Sequence, residues 1–504
     1  MTAGRTALQD VVDEFAAAFA RQHGLAGLAV GIVRDGQLVH TIDIGHASIE
    51  RRLPVTAESV FRVGSISKTF TAIAVMQLVA GGRVDLDRPV NDYLRHYRVE
   101  GPPQAQPVTL RHLLTHTSGI GELRRYTDVF QPFIGMAVPP GRTTPSFAEY
   151  YAPSLRAELP PGQKWAYANH GFTTLGAVIE DVTGERFADY VRREILDPLG
   201  MTGSDFVRNE RVADQLCDGY ARKRDRNKPV RYLDIIPSPA GSLFSNVSDL
   251  ARYVTALCND GGPILGAALL DEMVRPQFRV DPRLAAIGLA FFLSDVDGHR
   301  VAGHDGGVPG FVSYLRFAPD NGVGVVVLTN SNNMKISMAI DRFGDELLRN
   351  ALATRGGPRV SAPVDESPAV WPELCGSYGL RPGLNTNLRP WMLLGGEVEV
   401  FERGDHLALR CLAGPVRAPA RLRPVDGSDP RRFTGDLGPM SIDVVFGDGA
   451  IHLGWPLNVS LFRRDYSFRD RARVAAIVAG GVALLAISRR RRRRQSDGAR
   501  PIGG

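Results

Sequence analysis

The stretch "FRVGSISKTFTAIAVMQLVAGG", residues 61–82, decides how the rest of the chain is read. Gly64 marks a turn, Ser65 and Lys68 follow it, and a mostly apolar run comes next. A spacing of three on a helix puts Ser65 and Lys68 on one face, close enough to touch. A serine hydroxyl is a poor nucleophile until a base removes its proton. Lysine holds its own proton up to a reference pKa of about 10.4, but partial burial, a helix N-terminus or a second cation disfavours the ammonium. The apolar remainder, with Phe70, Ile73, Val75, Met76 and Leu78, predicts a helix held in a core that keeps the pair rigid. The start of that helix also offers the Ser65 backbone N–H to a developing oxyanion. Alone, the S-x-x-K spacing is a weak pattern that arises by chance in long chains.

Two later segments give it company. "KWAYANHGFTTLG" places Tyr167 and Asn169 just ahead of a predicted helix. A tyrosine near Lys68 can pass a proton as a phenolate, and Asn169 can orient the lysine or a substrate amide. An ordinary Asn cap with a packing Tyr has the same letters. "VAGHDGGVPGF" places His304, Asp305, Gly306 and Gly307 on a predicted strand. Glycines there let a substrate backbone approach the strand edge, and the Gly307 N–H can serve as the second oxyanion donor. A plain hairpin with a surface histidine reads alike. Strand alternation turns Asp305 to the other face and leaves it no catalytic role.

Composition narrows the class. The chain has 504 residues, enough for two or three domains, and 44% hydrophobic residues, enough for a buried core. Its formal net charge of +6 is matched by the run from Arg489 to Arg494, so the remainder is balanced. Without a basic stripe interleaved with aromatics, no nucleic-acid partner is expected. Cys217, Cys258, Cys375 and Cys411 lie far apart with no C-x-x-C, which argues against a zinc site or a disulfide framework and for small buried hydrophobes. No metal or cofactor is implied.

The organisation points to an α+β fold, an antiparallel sheet flanked by helices, followed by a small β domain. "GLAVGIVRDGQLVHTIDIG" predicts two strands joined by a tight Asp35-Gly36 turn. "IGLAFFLSD", "HRVAGHDG", "FVSYLRFAPD" and "GVGVVVLTNS" read as strands, and "SMAIDRFGDELLRNALA" as a closing helix. "SNVSDLARYVTALC" reads as a helix capped by Ser245 or Ser248. A catalytic domain over 1–355, a linker over 356–370, a β domain over 371–466 and a tail over 467–504 are expected. The first helix is expected to be amphipathic through Leu8, Val11, Val12, Phe15 and Phe19; with Asp10, Asp13 and Glu14 in it, this stretch does not read as a signal peptide. The tail holds an uncharged run from Val474 to Ile487, about 21 Å as a helix against a hydrocarbon core of about 30 Å. With arginines able to snorkel at its end, a membrane contact through this run and Arg489–Arg494 is expected.

Taken in order, "FRVGSISKTFTA", "LLTHTSGI", "YANHGFTTLG", "PAGSLFSNVSDLARYV" and "GHDGGVPGFVSYLRFAPD" resemble the serine β-lactamase and penicillin-binding-protein superfamily, nearest its class C-like branch of esterases, D-aminopeptidases and D,D-carboxypeptidases. The resemblance covers about residues 8–352. It implies a β-lactamase-like fold and an acyl-enzyme serine hydrolase for a small-molecule or peptide substrate. It implies Ser65 as nucleophile, Lys68 and Tyr167 as base machinery, and Asn169 as the orienting residue. His304 stands where many β-lactamases carry the lysine of K-T-G; a histidine, partly charged near neutrality, anchors a carboxylate less firmly and favours the esterase and peptidase branch. His116 in "THTSG", flanked by Thr and Ser, can act as a proton relay; the resemblance implies instead a structural part, fastening the loop under the site. The β domain resembles a lipocalin-like unit that walls the cleft or recognises substrate, and Phe130, Phe133, Ile134 and Met136 are expected to overhang it. A nucleophile-elbow hydrolase is excluded, because Ser67 stands where G-x-S-x-G needs glycine. The rival from another class is the same fold without turnover, as a penicillin-binding sensor or a membrane-tethered scaffold.

Overall fold

A computed structural model describes residues 7–138, 142–353, 368–380, 388–411, 418–425, 427–438, 440–447 and 449–465. Most of the linker expected at 356–370, the run from Val474 to Ile487 and the arginines from Arg489 to Arg494 lie outside the described residues. Among the described residues no helix is long and apolar enough to cross a membrane.

The centre is a 7-stranded antiparallel sheet whose order is Phe292–Val296, His299–Val308, Phe311–Ala318, Val323–Thr329, Gly27–Arg34, Gln37–Ser48 and Leu53–Pro54. The first strand of the chain therefore lies beside the last of the sheet, pairing Val30 with Val327. The Asp35-Gly36 turn is as expected: both residues have positive φ, 50° and 72°, the geometry that matches strand twist in a two-residue hairpin. Val323–Thr329 is buried throughout, so its sequence is a continuous apolar run instead of an alternating one.

Each face of the sheet has its own cover. Val325 and Val327 pack with Val12, Ala16 and Phe19 of the Ala7–His23 helix and with Ile340 and Leu347 of the Met334–Ala353 helix. Val326 and Leu328 face the larger lobe, which holds the helices Ser67–Ala80, Asn169–Thr183 and Val247–Leu257. The first helix uses a slightly different stripe from the expected one: Val11 is exposed, and Ala16 and Ala20 take the buried positions. The cap of Val247–Leu257 is also different. Asn246 fills it, accepting from the Asp249 N–H at 2.8 Å. Ser245 is taken by a strand pair with Phe61, and the Ser248 hydroxyl by Glu58.

The C-terminal unit is a closed barrel running from Gly376–Gly379 to Val459–Arg464, with its first strand hydrogen-bonded to its last. Leu407, Leu409, Leu422, Ile442, Val444 and Leu461 fill its interior. It meets the N-terminal unit through polar contacts. Arg283 bonds Asp429 at 3.2 Å and the Phe446 carbonyl at 3.1 Å, and the Leu388 N–H donates to Glu122 at 2.8 Å.

Candidate functional site

Ser65 sits in a single 3-10 turn, Gly64–Ile66, that leads into the Ser67–Ala80 helix. That helix is buried on every side, as a helix apolar all round must be. The turn is fixed twice: the Ser67 hydroxyl donates to the Gly64 carbonyl at 2.6 Å and accepts from the Leu243 N–H at 3.0 Å. Gly64 has φ +53°, and a Cβ there would stand 2.7 Å from the Gly307 nitrogen. Only glycine meets both demands, and its absence of a side chain lets the turn rest against the Gly306-Gly307 backbone.

Lys68 is fully buried, and its Nζ has three neighbours at hydrogen-bond distance: Ser65 Oγ at 2.9 Å, Asn169 Oδ1 at 2.8 Å and the Ala240 carbonyl at 2.7 Å. A fixed amine touching the serine oxygen is the arrangement that a proton transfer between them needs. Asn169 is the first residue of its helix, and its backbone carbonyl is bonded by Thr173, so its side chain is free to turn toward the lysine. Tyr167 brings its ring over the amine, with Nζ 4.8 Å from the ring centroid.

Tyr167 is held from behind by His116. The two rings stack at 4.3 Å, the Ala168 N–H donates to His116 Nδ1 at 3.1 Å, and the Ala166 N–H donates to the His116 carbonyl at 2.8 Å. His116 thus fastens the segment carrying Tyr167, as the resemblance implied. The second residue of the helix, His170, is fully buried and paired with the Tyr151 hydroxyl at 2.8 Å. Burial, aided by Arg124, pulls its pKa down to about 4. The folded state thus keeps His170 neutral while the unfolded chain takes up a proton below about pH 6.5. Stability from this group is complete above that pH and falls as pH drops toward 4, by about 3 kcal/mol in all. Urea denaturation at pH 7.5 and pH 4.5 should show a larger loss in wild type than in His170→Gln.

The strand His299–Val308 carries the remaining residues. Gly307 is exposed, and nothing lies within 4 Å of where its Cβ would be, so its backbone borders open space. Gly306 is glycine for another reason than the expected one: a Cβ there would stand 2.0 Å from the Val63 carbonyl oxygen. Asp305 faces away from the cleft, as alternation requires, and pairs with Arg316 at 2.7 Å. His304 does not stand open to the cleft. It is 2% exposed, its ring lies 4.7 Å from Phe292, and its Nδ1 is 2.6 Å from the Asp305 carbonyl. The same Phe292 carries Trp455 of the barrel, with ring centroids 3.7 Å apart and tilted; Trp455 also approaches Trp165 at 6.5 Å and donates its indole N–H to Asp341 at 3.3 Å.

A narrow cleft opens at Ser65, Asn169 and Gly307, walled by Phe133, Met136, Ile235 and Val308. Phe133 and Met136 overhang it as expected, whereas Phe130 is 90% exposed and points elsewhere. Phe133 and Ile134 both have left-handed backbone, φ 50° and 48°, an uncommon and strained conformation for bulky residues.

The family model described as Beta-lactamase matches residues 8–347. Penicillin-binding protein 4 of Amycolatopsis lactamdurans is 28% identical over 379 residues, which take in 71% of this chain and 94% of that protein. The octameric penicillin-binding protein homologue from Pyrococcus abyssi superposes with a TM-score of 0.58 at 25% identity, over 90% of this chain and 99% of that one. The D-amino acid amidase from Ochrobactrum anthropi SV3, solved with L-phenylalanine amide, shares the fold with a TM-score of 0.55 at 21% identity, over 70% of this chain and 100% of that one.

Proposed function

The chain belongs to the beta-lactamase family, and on that premise we propose that it is a serine hydrolase working through an acyl-enzyme on an ester, amide or D-aminoacyl peptide. The observation that carries the reading is the 2.9 Å contact between Lys68 Nζ and Ser65 Oγ at the floor of the cleft. Ser65 Oγ attacks the substrate carbonyl while its proton passes to Lys68. The oxyanion faces the Ser65 and Gly307 amides. Lys68, with Tyr167, returns the proton to the leaving group as the carbonyl–heteroatom bond breaks. Water then repeats the sequence on the ester, and Ser65 is regenerated. Asn169 and the Ala240 carbonyl hold the amine on station throughout.

Phe133, Met136, Ile235 and Val308 suit an apolar group on the substrate. His304 in place of a lysine, and turned into an aromatic cluster, supports weak β-lactam turnover. The test is a panel of p-nitrophenyl esters, D-aminoacyl amides and a chromogenic cephalosporin. Turnover of esters or D-aminoacyl amides well above the cephalosporin is expected. Rapid labelling by a serine probe with no turnover of any of them would favour a non-turnover sensor instead.

Trp455 extends the reading to the barrel, which closes the Tyr167 and His304 side of the site. Trp455→Ala is expected to raise kcat/KM for long-chain esters over the acetyl ester by about tenfold, the scale of an added apolar subsite. An unchanged ratio would remove the barrel from the site. The membrane contact of the C-terminal tail rests on its sequence alone.

A further inference from the structure

Three residues before the nucleophile stands a charge with no counter-ion. Arg62 is 4% exposed, in a short strand paired with Phe244–Ser245. Its Nε has no hydrogen-bond partner, and among the described residues no carboxylate pairs with its guanidinium. What surrounds it is aromatic: the guanidinium carbon lies 4.9 Å from the Tyr232 ring centroid and 5.9 Å from that of Phe244. A second cation gathers there too, with Arg208 placing its guanidinium 5.1 Å from the same Tyr232 ring. The nearest acidic influence is Asp234, whose carboxylate already accepts from the Tyr232 hydroxyl at 2.9 Å.

A buried guanidinium with planar donors unused is a costly thing to fold around. Aromatic faces relieve it only in part, since they supply no hydrogen-bond acceptor. Two arginines at one phenol, one of them buried and without an acceptor, are a donor set suited to a planar or tetrahedral oxyanion. The chain runs from this place to the cleft wall. Tyr232 leads within three residues to Ile235, which walls the cleft and pairs through Asp234–Ile235 with Ala137–Val138.

We propose that Arg62 and Arg208, gathered at the Tyr232 ring, bind an oxyanion of the carboxylate or phosphate class behind the Ile235 wall of the Ser65 cleft. The anion is either free in solution or carried on the substrate; the contact chemistry is the same. The site does not depend on Ser65 being a nucleophile, so its test needs no turnover.

The probe is inorganic phosphate, titrated into the full chain against chloride at equal ionic strength and followed by thermal melting. Wild type should show a saturable rise in Tm of about 2–5 °C. Arg208→Gln, at an exposed position, should fold and lose that rise, and Arg62→Lys should weaken it. Equal rises in phosphate and chloride, or the same phosphate response in wild type and Arg208→Gln, would overturn the site. A second arm separates the two sources. If the anion belongs to the substrate, Arg208→Gln raises KM for p-nitrophenyl hemisuccinate at least fivefold relative to p-nitrophenyl acetate; if it is free, that ratio holds while the phosphate response disappears.

Discussion

Ser65→Ala is expected to abolish labelling by a fluorophosphonate probe and to lower turnover of the best ester at least about a thousandfold, the scale seen when a nucleophile is removed. The fold should survive. Ser65 is only partly buried, and its recorded side-chain bond is the one to Lys68. Its neighbours hold the turn without it: Ser67 ties Gly64 to Leu243, and the Ser313 hydroxyl donates to the Val63 carbonyl at 2.8 Å. Melting should therefore shift by no more than the few degrees typical of a surface-level change. Labelling at full strength in Ser65→Ala would place the nucleophile elsewhere and end the acyl-enzyme proposal.

The second large effect belongs to Lys68→Met, which keeps the length of the side chain and removes the amine. Loss of the base should lower kcat by about 10³-fold or more, with a smaller change in KM, because the group acts on the proton in flight and not on the bound substrate. Stability should fall as well. Asn169 Oδ1 and the Ala240 carbonyl lose a shared donor in a buried place, at about 1–3 kcal/mol for each group left unpaired. Measuring both kcat and the urea midpoint separates the two losses. Activity within tenfold of wild type would show that the proton leaves Ser65 by another route.

Much of this is legible in the sequence. Ser65 and Lys68 are three residues apart, so helix geometry alone puts them in contact, and the Asp35-Gly36 turn and the strands after it are local signals of the same kind. What escaped was backbone and distance. The Ala240 carbonyl that completes the lysine's shell has no side-chain signature, so no residue type could announce it. Asn246 took the cap expected of Ser245 or Ser248 because strand pairing claimed the first and Glu58 the second, and both are tertiary facts. His304 reads correctly as a strand residue, but its burial against Phe292, a ring that also carries Trp455 of the barrel, is a tertiary fact. Gly64 reads as a turn residue; its closer duty, resting against Gly307, becomes visible only when the two segments meet.

The closed barrel has one further consequence, for self-association. A sheet closed on itself offers no unpaired rim on which another chain could add a strand. The central sheet is guarded in its own way: one margin ends in the two-residue segment Leu53–Pro54, where proline withholds a donor, and at the other Trp455 sits over Phe292. Copies of this protein that associate through the barrel or the central sheet therefore do so through side-chain surfaces, and strand addition at these two places is disfavoured from the outset.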